Sequence, residues 1–203
     1  MKRSTTIFLA GLLLTATYAH AQVKQGTQQA GVSIGLANPV SNNTVDGETE
    51  VFGVPGPAFG ANYLYQIHSH LGLGADFSYK DLGTESVTTR HGPVDINSSI
   101  WTLLAIARAD LIPQSNIRPY GLLGLGIGGA TSQGNYSENP YVNFSRTASG
   151  VAFAMGAGLD YDISSALFTG AELRYNILST SDDAIGTSSV RTLDVLFKVG
   201  CKF

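Results

Sequence analysis

Leu193-Asp194-Val195-Leu196-Phe197-Lys198-Val199-Gly200-Cys201-Lys202-Phe203 is the segment whose reading decides the fold. Side chains alternate faces along a β-strand. Val195, Phe197, Val199, Cys201 and Phe203 therefore share one wall, while Asp194, Lys198 and Lys202 share the other. The segment has one apolar face, one charged face and an aromatic ring at its end.

The same two-faced pattern recurs upstream, predicting strands at 30–37, 58–67, 71–79, 99–111, 120–129, 151–162 and 166–176. Leu71, Leu73, Ala75, Phe77 and Tyr79 oppose Gly72, Gly74, Asp76 and Ser78; Leu123, Leu125 and Ile127 oppose Gly124, Gly126 and Gly128. Short links near 68–70, 113–116 and 163–165 alternate with long connections at 38–57, 80–98, 129–149 and 177–189. Eight strands of roughly ten residues, tilted near 40°, rise about 25 Å, the height of a membrane barrel's apolar band. The fold class expected is all-β: an eight-stranded antiparallel up-and-down transmembrane β-barrel with short periplasmic turns, longer extracellular loops and both termini periplasmic. Tyr65, Tyr79, Trp101, Tyr120, Tyr161, Tyr175 and Phe203 lie near strand ends, where rings suit interfacial belts.

Composition agrees. Charged residues make up 13%, against roughly 25% in an average soluble domain, as a wall facing hydrocarbon requires. A net charge of -3 gives no basic patch for nucleic acid. Cys201 is the single cysteine, so no intramolecular disulfide forms. At the N-terminus, Met1-Lys2-Arg3 precedes an apolar run at 7–14 and the small-x-small triplet Ala19-His20-Ala21. The pattern predicts a secretory signal at 1–21, with the barrel domain at 22–203. A secreted soluble barrel alternates in the same way with its walls exchanged. Its glycine-rich rows would then face water, whereas a membrane barrel packs them into a narrow lumen.

Arg118-Pro119-Tyr120-Gly121-Leu122-Leu123-Gly124-Leu125-Gly126 resembles the Pro-Tyr-x-Gly-x-Gly-x-Gly-type strand of the small outer-membrane β-barrel superfamily. That group includes the transmembrane domain of outer-membrane protein A, the opacity porins and the small Ail/OmpX surface proteins. The resemblance implies residence in the cell outer membrane, contact with its lipid and lipopolysaccharide, escort by periplasmic chaperones, and insertion by the barrel assembly machinery. The assembly signal would be the row Val195, Phe197, Val199, Cys201 and Phe203. The chain is expected to be a monomer with no nucleic-acid partner.

An eight-stranded barrel has an interior just wide enough for side chains to fill. By strand parity the lumen receives Asp76, Arg108, Asp110, Asp160, Glu172, Arg174, Asp194, Lys198 and Lys202. Buried charges persist when paired, so an ion-pair network is expected there. Two functions compete for it: a plug that seals the lumen, and a narrow gated pore. An enzyme, such as a lipid A-modifying hydrolase, would need a His and a Ser near the extracellular rim with an acid orienting the His. His68-Ser69-His70 sits in a predicted periplasmic turn, and His91 lies alone in a long connection. No catalytic, cofactor or metal site is expected. The extracellular connections carry Asp46, Glu48, Glu50, Asp81, Glu85, Asp95, Glu138, Asp182 and Asp183 against Lys80, Arg90 and Arg146, with Tyr136, Tyr141 and Phe144 either as contact anchors or as rings that pack the loop onto the rim.

Overall fold

A computed structural model describes residues 23–40, 42–45, 48–51, 54–89, 92–136, 144–180 and 189–203. The strands are β1 (Gln28–Pro39), β2 (Asn42–Val45), β3 (Glu48–Val51), β4 (Gly56–His68), β5 (Leu71–Thr89), β6 (Gly92–Asp110), β7 (Ile117–Tyr136), β8 (Phe144–Asp162), β9 (Leu167–Thr180) and β10 (Ser189–Lys202). Eight of them close into a barrel in the order β1-β10-β9-β8-β7-β6-β5-β4, and β2 pairs with β3 in a separate hairpin. All pairings are antiparallel. The seam joins the first and last strands, running from Gln29 opposite Lys202 to Pro39 opposite Thr192. Closure leaves the barrel without a sheet edge over that span. The predicted signal at 1–21 lies outside the described residues.

Orientation follows the alternation. Phe77, Leu173 and Phe197 are exposed on the outer wall, whereas Asp76 and Glu172 on neighbouring strand positions are buried. Phe153 is half-buried on the same outer wall. Over the apolar band the outer wall is thus made of apolar side chains while the acids and bases turn inward, the arrangement of a barrel solvated by hydrocarbon.

Several strands run further than hydrophobic alternation predicts. The segment 80–98 is read from sequence as a long connection, yet most of it continues β5 and β6, which pair out to Thr89 opposite Gly92. The segment 129–149 likewise extends β7 and β8, with Gly134 opposite Phe144. Tyr136 and Phe144 therefore belong to strands rather than to a loop, and Tyr141 lies outside the described residues. The reason is solvation. About ten tilted residues cross the apolar band, and beyond it polar outward residues are tolerated, so the alternation fades while the hydrogen-bonded ladder goes on.

At the opposite end the links are tight. Ser164 Oγ accepts hydrogen bonds from the backbone N–H groups of Ala166 (3.2 Å) and Leu167 (3.1 Å), and Ile163 N–H donates to Leu167 O at 2.9 Å. Ser115 Oγ accepts from Ile117 N–H at 3.2 Å. These are the local side-chain to backbone bonds through which Ser favours turns. At Ser69, the Oγ lies 3.1 Å from His70 Nδ1 and 3.5 Å from His68 Nδ1.

Candidate functional site

The lumen is where this chain concentrates its chemistry. Six acids (Asp76, Asp110, Asp160, Asp162, Glu172 and Asp194) and six bases (Lys80, Arg108, Arg118, Arg174, Lys198 and Lys202) are buried inside it. Their formal charges cancel. All twelve come from β5–β10, while β1 and β4 present Gln29, Gly31, Ser33, Gly35, Gly60, Asn62, Leu64 and Gln66 to the lumen.

Three tiers of contacts cross the barrel. Nearest the long connections, Lys80 Nζ meets Asp194 at 2.8 Å and donates to Thr192 Oγ1 at 2.8 Å, and Asn176 Nδ2 donates to Asp194 Oδ2 at 2.8 Å. In the middle, Arg174 grips Asp76 with both terminal nitrogens and donates from Nε to Glu172 Oε1 at 2.6 Å. Glu172 Oε2 accepts from the Tyr120 hydroxyl at 2.6 Å and from Lys198 Nζ at 3.1 Å, and Lys198 also donates to the Tyr120 hydroxyl. Nearest the short turns, Arg108 bonds Asp110 (2.5 Å) and Asp160 (2.6 Å), Arg118 bonds Asp162 (3.1 Å), and Lys202 bonds Asp162 (2.6 Å). The Arg108 guanidinium also lies 3.7 Å from the centre of the Tyr120 ring, a cation–π contact tying the lower tiers together.

Apolar side chains fill the gaps between tiers. Leu64, Leu104, Ile106, Leu122, Leu178 and Leu196 all point inward and are buried. The lumen is thus a packed mixture of charge pairs and hydrocarbon. At the short-turn mouth, Val23 is buried and its N–H donates to Pro113 O at 3.3 Å. Pro113 lies in the β6–β7 turn, on the far side of the ring from β1. Residues 23–27 accordingly cross the mouth as a strap, held at its other end by Gly26 N–H to Gln66 O at 2.8 Å. Gly26 makes the bend with φ of 89°, a conformation that glycine adopts without steric cost.

The structure places Asp76, Arg108, Asp110, Asp160, Glu172, Arg174, Asp194, Lys198 and Lys202 inside the barrel and in contact with one another through these tiers. Two sequence readings need correction. Tyr120, assigned to an aromatic belt, is buried in the lumen. Lys80, counted among the extracellular charges, is buried against Asp194. Arg118, Asp162 and Gln66 complete the lower tier, with Gln66 Nε2 donating to Asp110 Oδ2 at 3.1 Å. Parity carried the missing signal: Arg118 and Tyr120 are in phase with Gly124, Lys80 with Asp76, and Asp162 with Asp160. Val195, Phe197, Val199, Cys201 and Phe203 all lie exposed on the outer wall of β10 and its end. No group of three or more metal-ligating side chains gathers among the described residues.

The outer membrane protein beta-barrel domain family matches residues 6–203. The chain is an outer-membrane β-barrel. No curated protein sequence matches it. Among solved structures, the barrel is similar to the attachment invasion locus protein Ail of Yersinia pestis, with 18% identity, coverage of 88% of this chain and 99% of Ail, and a TM-score of 0.59. It is also similar to Neisserial surface protein A, at 16% identity, coverage of 89% and 98%, and a TM-score of 0.57. The outer membrane protein OprG of Pseudomonas aeruginosa follows at 16% identity, coverage of 90% and 98%, and a TM-score of 0.52. At these identities the likeness is one of fold.

Proposed function

We propose that this barrel is a sealed, non-enzymatic component of the outer membrane, serving envelope structure or surface interaction rather than solute passage. The observation that carries this reading is the lumen itself. Its twelve buried charges balance, Arg174 spans from Asp76 to Glu172, and leucines and isoleucines occupy the space between tiers. A water-filled pore needs a continuous polar path, and paired charges packed among hydrocarbon oppose one. The strap at residues 23–27 adds a cover at one mouth. The short turns and both termini face the periplasm on this reading, and the protein acts as a monomer in contact with lipid and lipopolysaccharide.

The same interior supports no hydrolase. His68, Ser69 and His70 stand together at the β4–β5 turn, among exposed or half-buried positions, and no acid among the described residues bonds either ring. A catalytic triad needs that third group to orient the imidazole. The rival function is a narrow pore opened by exchange of ion-pair partners. Planar-bilayer recording separates the two. Purified barrel is expected to give no steady conductance, and a steady wild-type conductance that changes in Arg174→Ala would overturn the sealed lumen.

A further inference from the structure

Where β1 meets β4 and β10, the lumen keeps a cavity of about 10 Å³. Gln29, Asn62, Arg108 and Lys198 supply its polar wall, with Leu64 and Phe168 among the apolar side chains. The space suits one water-sized molecule. Gln29 is only 3% exposed, and neither its Nε2 nor its Oε1 has a hydrogen-bond partner. A buried amide with both ends unpaired is a rare and costly arrangement, and a ligand normally completes it.

The chemistry of the wall selects that ligand. Arg108 is engaged by Asp110 and Asp160, and Lys198 by Tyr120 and Glu172, so an anion here would compete with three carboxylates already held by the two cations. A cation would meet the Arg108 and Lys198 head groups and no carboxylate on the wall. An apolar occupant leaves the Gln29 amide bare. Water can both accept from an amide N–H and donate to an amide oxygen, and Asn62 brings a second amide to the same wall.

We propose that Gln29 and Asn62 hold one structural water at the closing seam. Gln29 lies opposite Lys202 of β10 on one side and Leu64 of β4 on the other, so this water ties the first strand to the charge network at the point where the ring closes.

The test is nuclear magnetic resonance of the folded, full-length mature barrel in detergent micelles, reading magnetisation transfer between water and the Gln29 side-chain amide protons. A cross-peak with the sign of a long-lived bound water is expected. It should disappear in Asn62→Leu, while that variant keeps the heat-modifiable gel migration of a closed barrel. Absence of the cross-peak in the wild type overturns the proposal, as does its survival at full intensity in Asn62→Leu. Gln29→Leu provides a second check: the matching cross-peak from water to the Asn62 side-chain amide protons should vanish in that variant, and its survival at full intensity refutes the shared site.

Discussion

Arg174 and Asp76 meet across the lumen through two parallel hydrogen bonds, Nη1 to Oδ1 at 2.6 Å and Nη2 to Oδ2 at 3.0 Å, although they belong to strands on opposite sides of the ring, β9 and β5. Both side chains are buried, and the same guanidinium also serves Glu172. Arg174→Ala strands Asp76 and leaves Glu172 to Lys198 and Tyr120, which should cost about 3–5 kcal/mol, the penalty for breaking a buried pair. Asp76→Ala should cost less, because Glu172 still accompanies the arginine. Urea unfolding of the barrel in lipid vesicles reads both values. The double variant should be less destabilised than the sum of the singles, and strict additivity would show that the pair is not coupled.

Two glycines on the same pair of strands should respond in opposite ways to a single methyl group. A Cβ at Gly158 would collide with the Tyr120 hydroxyl and approach Ala171 O at 2.7 Å, whereas a Cβ at Gly121 meets nothing within 4 Å. Gly158→Ala should destabilise the barrel by about 1–3 kcal/mol through overpacking. Gly121→Ala should stay within about 0.5 kcal/mol of wild type, as an unobstructed substitution does. Equal unfolding midpoints for the two variants would contradict the packing of Tyr120 against β8.

Leu125 stands between Leu123 and Ile127 in an exposed apolar row on β7. Leu125→Arg should cost about 2–4 kcal/mol in a bilayer, the penalty for a cation deep on a lipid-facing wall. The same change at Gln133, an exposed outward position on the extension of β7, should cost far less. Vesicle unfolding of both variants checks the depth of each position directly.

Gly26 turns the strap with positive φ. Gly26→Val forces a β-branched residue into that region, at a cost of about 1–3 kcal/mol. The expected outcome is release of residues 23–27 with the barrel intact. Hydrogen exchange should then accelerate at the Gln66 amide, which donates to Thr27 O at 2.9 Å, while the amides of β7 and β8 keep their protection.

Phe203 is bonded into the seam through its backbone, donating to Gln28 O at 3.0 Å and accepting from Gln28 N–H at 2.8 Å, while its ring lies exposed. Phe203→Ser keeps both backbone bonds and removes the ring. If the ring is read by the assembly machinery, the variant should reach the outer membrane in reduced amount but unfold at the wild-type midpoint once inserted. Normal cellular levels would show that the ring has no part in assembly.

The sequence made the architecture legible because two solvents act on alternate residues. Hydrocarbon selects Val195, Phe197 and Val199 on one wall, and confinement selects Asp194, Lys198 and small residues on the other. Alternation loses its force beyond the apolar band, where water accepts either kind of side chain. Alternation therefore marks neither Lys80 as a lumen residue nor the outer reaches of β5–β8 as strand. Tyr120 was misplaced for a different reason. Aromatic rings near strand ends suit an interface, but this one shares the parity of Leu122 and Gly124 and so points inward. Pairing among the lumen charges is less legible still. Parity puts Asp76 and Arg174 inside, but which acid meets which base depends on depth and on the register of every ladder around the ring.

The seam between β1 and β10 also sets a schedule for making this molecule. A ribosome releases Gln29 long before Lys202, so the earliest strand waits for its neighbour until synthesis is nearly over. Pairings of such long sequence separation form slowly. During that delay both flanks of an incomplete sheet offer bare backbone to any passing chain. Survival of the unfinished polypeptide therefore depends on being kept extended and solitary until its last turn has been delivered.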